Sequence, residues 1–248
     1  MDSGKLADMF DVVRQKKIPI HSLQVIRNGY LVLDAYFYPY KDGDTHDTAS
    51  VTKSVTATLV GMAIDQRLIP SVQEPVVSFF KTRNIANPDP RKQAITVEDL
   101  LTMRPGLDCD ERDGERTLHE MRQHSDWVQF MLDRPMAGRS GESFVYCSPT
   151  MHLLSALLRE ATRQTALEFA RRTLFASLGI QNAEWPSDSQ GNNFGWGDLH
   201  LHPRDMAKLG FLYLHDGVWE GRQLLSRDRK STRLNSSHIQ KSRMPSSA

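Results

Sequence analysis

The chain has 248 residues, 39% hydrophobic and 25% charged, a composition that suits one globular domain, or a domain and a lobe, and excludes disorder, collagen and coiled coil. Its two cysteines, Cys109 and Cys147, are too few for a disulfide framework and lack zinc-site spacing, so free thiols are expected, and no apolar run approaches the roughly 20 residues that span a bilayer. The formal net charge of +1 becomes −3 without residues 228–248, which hold five of the basic and one of the acidic residues; nothing then points to nucleic acid.

Met1 to Phe10 carries no basic patch followed by an apolar stretch. No secretory signal is expected in the chain as given, and periplasmic or secreted placement follows only if the true start lies upstream. Leu6, Met9, Phe10 and Val13 recur at helical spacing and predict an amphipathic opening helix. Leu23 to Ile26 and Tyr30 to Tyr36 read as strands, joined through Arg27-Asn28-Gly29, whose Asn-Gly pair tolerates the positive φ of a tight hairpin.

From Ser50 to about Arg67 the residues are small or apolar, which predicts a mostly buried helix. Thr96 with Asp99 heads another that Pro105-Gly106 stops, and Ser148-Pro149 opens one with Leu153, Leu154, Leu157, Leu158 and Ala161 on one side. Thr165 with Glu168 caps a helix predicted to end at Gly179, and Pro203 opens the last, carrying Met206, Leu209 and Tyr213. His200 and His202 alternate on a predicted strand. From Asp228 to Ala248 periodicity stops; Asp228 to His238 reads as a translated sequencing adapter and Ser242 to Ala248 as its continuation. Native sequence is therefore expected to stop near Arg227, with a disordered basic tail as the alternative; the coding DNA decides between them.

Ser50-Val51-Thr52-Lys53 puts a hydroxyl at the first turn of the buried helix and an amine one turn up on the same side. A serine needs a neighbouring base to become nucleophilic, and burial at a positive helix end disfavours the ammonium form of lysine. The spacing is common by chance, and the same residues fit an N-cap serine beside a snorkelling lysine. Ser78-Phe79-Phe80-Lys81 repeats it with no long helix behind and is expected to be packing around a surface lysine. Tyr146-Cys147-Ser148 forms a corner that can aim a phenol and a hydroxyl into a cleft, where a phenol beside an ammonium relays a proton; alternatively Tyr146 only packs.

Thr48-Ala49-Ser50-Val51-Thr52-Lys53-Ser54, Leu100-Leu101-Thr102-Met103 leading to Gly106-Leu107, the Tyr146-Cys147-Ser148 corner and Leu201 to Lys208, in this order, resemble the serine β-lactamase and penicillin-binding-protein superfamily. The sequence is most similar to the class C β-lactamase-related serine hydrolases, a group that includes esterases, DD-peptidases and 6-aminohexanoate-dimer hydrolase. The resemblance covers residues 5 to 227. It implies an α/β (α+β) fold, an antiparallel sheet flanked by helices (residues 1–49 and 205–227) with a mostly helical lobe (50–204) and C-terminal strands missing. It implies Ser50 as acylated nucleophile, Lys53 as its general base, Tyr146 as proton partner of the leaving group and Ser148 as substrate-binding.

The sequence departs from the family pattern twice. Ser148 stands where the family has asparagine, which favours an ester or amide over a β-lactam. No Lys-Thr-Gly occurs; losing one oxyanion donor costs about 10²–10³ in rate, and losing its strand exposes a sheet edge, so the chain as written is expected to be an inactive fragment.

His119 and His124 lie five apart and are expected to be solvated, while His200 with His202 make a poor metal pair, so no metal is assigned. The resemblance places Trp185, Phe194 and Trp196 near the cleft, as an apolar wall or as packing. The expected activity is cofactor-free hydrolysis of a small ester, amide or β-lactam-like molecule through an acyl-enzyme on Ser50. A β-lactamase or DD-peptidase is one alternative, and a binding protein that keeps the fold with a dead site is another.

Overall fold

The computed structural model describes residues 2–109 and 112–226, with 112–114 described by their backbone alone. The predicted adapter segment, 228–248, lies outside the described residues. Helix α1 (Ser3–Gln15) starts at Asp2, whose carboxylate accepts from Gly4 N–H at 2.9 Å. Leu6, Met9, Phe10 and Val13 are its half-buried side, although no residue of α1 is fully buried. Strands β1 (Ser22–Arg27) and β2 (Tyr30–Tyr36) pair antiparallel, and the turn between them holds Asn28 at φ 52° and Gly29 at φ 81°. Both central residues left-handed is the geometry that matches a hairpin's twist, and Asn-Gly adopts it at least cost.

Strand β3 (His46–Asp47) leads through a 3₁₀ turn, Ala49–Val51, into α2 (Thr52–Asp65), in which every residue but Ser54 and Asp65 is buried. The short helices α3 (Pro90–Gln93) and α4 (Val97–Leu101) follow; α4 begins with the predicted Thr96/Asp99 capping box. Then come α5 (Arg112–Arg122), α6 (Trp127–Asp133) and α7 (Ser148–Thr162), where everything from Ser148 to Leu158 is buried. Helix α7 packs on α2, α4, α5 and α6 and is the axis of the helical core.

The single helix predicted from Thr165 to Gly179 is two helices, α8 (Ala166–Arg172) and α9 (Leu174–Leu178), broken where Thr173 leaves helical dihedrals at φ −117°, ψ −87°. Gly179 ends α9 in the left-handed conformation at φ 62°. Strand β4 (His200–Leu201) pairs with β3, helix α10 (Pro203–Leu214) packs on β1, and a hairpin not anticipated from sequence follows, β5 (Val218–Trp219) with β6 (Arg222–Gln223). The fold is therefore mixed: among the described residues, three two-stranded antiparallel ladders accompany a large helical body. Among the described residues no helix is long and apolar enough to cross a membrane.

Candidate active site

Ser50 lies in the 3₁₀ turn that enters α2, where the β3–β4 ladder ends. The Asp47 carboxylate accepts from Ala49 N–H at 2.7 Å, and Thr48 N–H donates to Leu199 O at 2.8 Å. These bonds hold Ala49 at φ 45°, a left-handed dihedral unfavourable for alanine, immediately before Ser50. Behind the turn, Thr48 and Thr52 share a hydroxyl hydrogen bond of 2.8 Å.

Three of the predicted side chains meet. Lys53, 3% exposed, places Nζ 2.7 Å from Ser50 Oγ, and Tyr146 Oη lies 2.9 Å from the same Oγ. Lys53 Nζ also sits 5.1 Å from the Tyr146 ring centroid and donates to Trp196 O at 2.9 Å. Ser50 and Tyr146 are half-buried, so a hydroxyl touched by an amine and a phenol reaches the surface with its amine beneath it. Such a cluster can pass a proton among its members.

Ser148 does not join them: it is fully buried and its hydroxyl donates to Glu115 Oε1 at 2.6 Å. The second Ser-x-x-Lys pair also stays apart, with Ser78 bonded to Glu74 at 2.8 Å and Lys81 exposed.

The Trp196 carbonyl was not foreseen, because a backbone acceptor leaves no side-chain signal. It belongs to a segment pressed onto α7. A Cβ on Gly195 would stand 2.0 Å from Met151 O, and Gly195 O accepts from Thr56 Oγ1 at 2.9 Å. Phe194 and Trp196 stack at 4.9 Å and meet Trp127 at 5.1 and 5.5 Å. Trp185 is 5% exposed and donates its indole N–H to Phe194 O at 2.8 Å. Beneath the rings lies a buried pair also missed in the sequence, His152 Nε2 and Asp188 Oδ2 at 2.9 Å. Burial pushes the Asp188 carboxyl up, but hydrogen bonds from His152 and from the side chain and backbone of Asn192 outweigh it and hold the carboxyl at about 2.

Two expectations are corrected. Cys109 and Cys147 are not free thiols but form a disulfide, their Cα atoms 6.2 Å apart; the partners are 38 residues apart in sequence, so spacing could not reveal the pairing. His202 is not on the strand with His200: its Nδ1 accepts from Arg204 N–H and caps α10, whose first residue is Pro203. His119 and His124 are exposed.

A model of the beta-lactamase family matches residues 6–243. The chain belongs to the Beta-lactamase family. It is 26% identical over 217 residues to the 6-aminohexanoate-dimer hydrolase of Paenarthrobacter ureafaciens, covering 82% of this chain and 54% of that protein. Its fold is similar to that of a Bacillus anthracis protein provisionally assigned as a 6-aminohexanoate-dimer hydrolase, with TM-score 0.74, 18% identity and coverage of 89% of this chain and 60% of that one. It is also similar to the octameric penicillin-binding protein homologue of Pyrococcus abyssi, with TM-score 0.67, 19% identity and coverage of 93% and 59%. The chain thus spans little more than half the length of these three proteins. The resemblance carried by the sequence motifs holds, and the β-lactamase and penicillin-binding-protein-like fold with it.

Proposed function

We propose that the protein is a serine hydrolase that cleaves a small ester or amide through an acyl-enzyme on Ser50. The observation that carries this reading is the contact of Ser50 Oγ with both Lys53 Nζ and Tyr146 Oη. With the amine neutral, Nζ takes the Ser50 proton as Oγ bonds to the substrate carbonyl carbon. The tetrahedral adduct collapses, the bond to the leaving group breaks, and that group takes the Tyr146 proton, which the Lys53 ammonium replaces. Water then attacks the acyl carbon along the reverse route and frees Ser50. The Trp196 carbonyl orients Nζ throughout.

Engagement of Ser148 by Glu115 supports an ester or amide over a β-lactam, because the side chain that would reach substrate is held elsewhere. Val51, Phe144 and Val145, which flank Ser50 and Tyr146 in sequence, are exposed and apolar, in keeping with an uncharged substrate.

Incubation with a fluorophosphonate probe and, separately, a fluorescent penicillin tests the proposal, with Ser50→Ala as control. Fluorophosphonate labelling lost in Ser50→Ala is expected. Penicillin labelling of Ser50 would move the substrate to the β-lactam class. No labelling of the folded protein by either reagent would leave a binding protein that keeps the fold.

A further inference from the structure

Ser50 and Lys53 follow one another through the 3₁₀ turn into α2, whereas Tyr146 comes from the corner before α7, so its place depends on what holds that corner. Residues on either side of it are tied to one stretch of chain. Val145 N–H donates to Met103 O at 3.0 Å, Cys147 is bonded to Cys109, and Ser148 donates to Glu115 at 2.6 Å. Cys147 is also the N-cap residue of α7, 1% exposed, and its side chain makes the disulfide instead of a capping hydrogen bond. The other end of the crosslink is firmly seated. Asp108, next to Cys109, donates its N–H to Pro135 O at 2.8 Å, and Arg134 binds the Asp108 carbonyl and carboxylate, both at 2.9 Å.

We infer that the Cys109–Cys147 disulfide is a positioning crosslink for the Tyr146 phenol, carrying the anchorage of Asp108 across to the corner, so that a thiol reductant slows the reaction at Ser50. This inference rests on the reading of Ser50, Lys53 and Tyr146 given above. A dithiol such as dithiothreitol supplies the two electrons and two protons. The S–S bond breaks, both cysteines leave as thiols, and the dithiol closes into its own cyclic disulfide. The corner then keeps its polar ties but loses its covalent one, and a contact of 2.9 Å between two hydroxyls tolerates little displacement.

The test uses the full chain, oxidised or reduced with dithiothreitol, with its fold monitored by near-ultraviolet circular dichroism at about 25 °C, a little above the usual temperature of maximum stability. A non-reducing peptide map is expected to yield the Cys109–Cys147-linked peptide; free thiols at both positions would overturn the inference. Reduction of the folded protein is expected to slow fluorophosphonate labelling of Ser50 by about tenfold, within what misplacement of a reacting group by an ångström costs. The Cys109→Ser/Cys147→Ser double variant should match the reduced protein and be insensitive to dithiothreitol.

The decisive arm is Tyr146→Phe. It should label slowly whether oxidised or reduced, because Ser50 Oγ then lacks the hydroxyl contact that holds it beside Lys53 Nζ. If reduction slows Tyr146→Phe as much as wild type, the crosslink does not act through the phenol and the inference fails while the site reading stands. If Tyr146→Phe labels as fast as wild type, the assignment of Tyr146 itself fails. Unchanged labelling of reduced wild type sinks the inference alone.

Discussion

Gly195→Ala should cripple both stability and labelling, although the residue presents no functional group. The new Cβ would stand 2.0 Å from Met151 O and 2.7 Å from its carbonyl carbon, both α7 backbone atoms. Ordinary contact requires the 194–196 segment to lift by about an ångström or more. That lift stretches the bonds of 2.9 Å that Gly195 O accepts from Thr56 and Trp196 O from Lys53. Overpacking costs about 1–3 kcal/mol, a neutral hydrogen bond about 1 and a charge-assisted one about 2. Partial relaxation recovers some of this, leaving about 4 kcal/mol, or a fall in Tm of about 8–16 °C in a chain of this size. Differential scanning fluorimetry measures the shift, and fluorophosphonate labelling below the new Tm should be slower by about tenfold or more because Nζ loses its orientation. A Tm within about 2 °C of wild type, with labelling unchanged, would show that the segment is not pinned on α7 and that Lys53 needs no such acceptor.

Lys53→Met should abolish labelling of Ser50 while circular dichroism stays native; a variant that still labels would remove the lysine from the mechanism. Asp188 adds an acid limb to stability. Its folded pKa, about 2, lies below the ordinary 3.8, so its contribution of about 2 kcal/mol is complete above pH 4 and disappears as pH falls toward 2. Urea midpoints of wild type and Asp188→Asn should therefore differ at pH 6 and converge toward pH 3, and a gap constant with pH would contradict that assignment. Leu157, fully buried on α7, should cost about 3 kcal/mol on replacement by alanine, read from urea unfolding; a loss under about 1 kcal/mol would mean that α7 is not the axis of the core.

What the sequence determined by itself was local. Asn28-Gly29 specified its turn, Thr96/Asp99 and Thr165/Glu168 their capping boxes, and Ser148-Pro149 the start of α7, because each acts within a few residues along the chain. The Ser50–Lys53 contact was legible for the same reason, since three residues is one helical turn. The two Ser-x-x-Lys pairs share that spacing, and the long apolar helix behind Ser50, absent at Ser78, is what told them apart.

The tertiary structure decided the rest. Trp196 reaches Lys53 across 143 residues, Asp188 reaches His152 across 36, and Glu115 draws Ser148 away across 33. Cys147 meets Cys109 across 38, and that pairing is what turned two expected thiols into a crosslink. Such partners are chosen by how α2, α7 and the 194–196 segment pack into a shared core, where a buried polar group must take whichever partner the neighbouring backbone presents. No periodicity or spacing in a single stretch of sequence carries that choice.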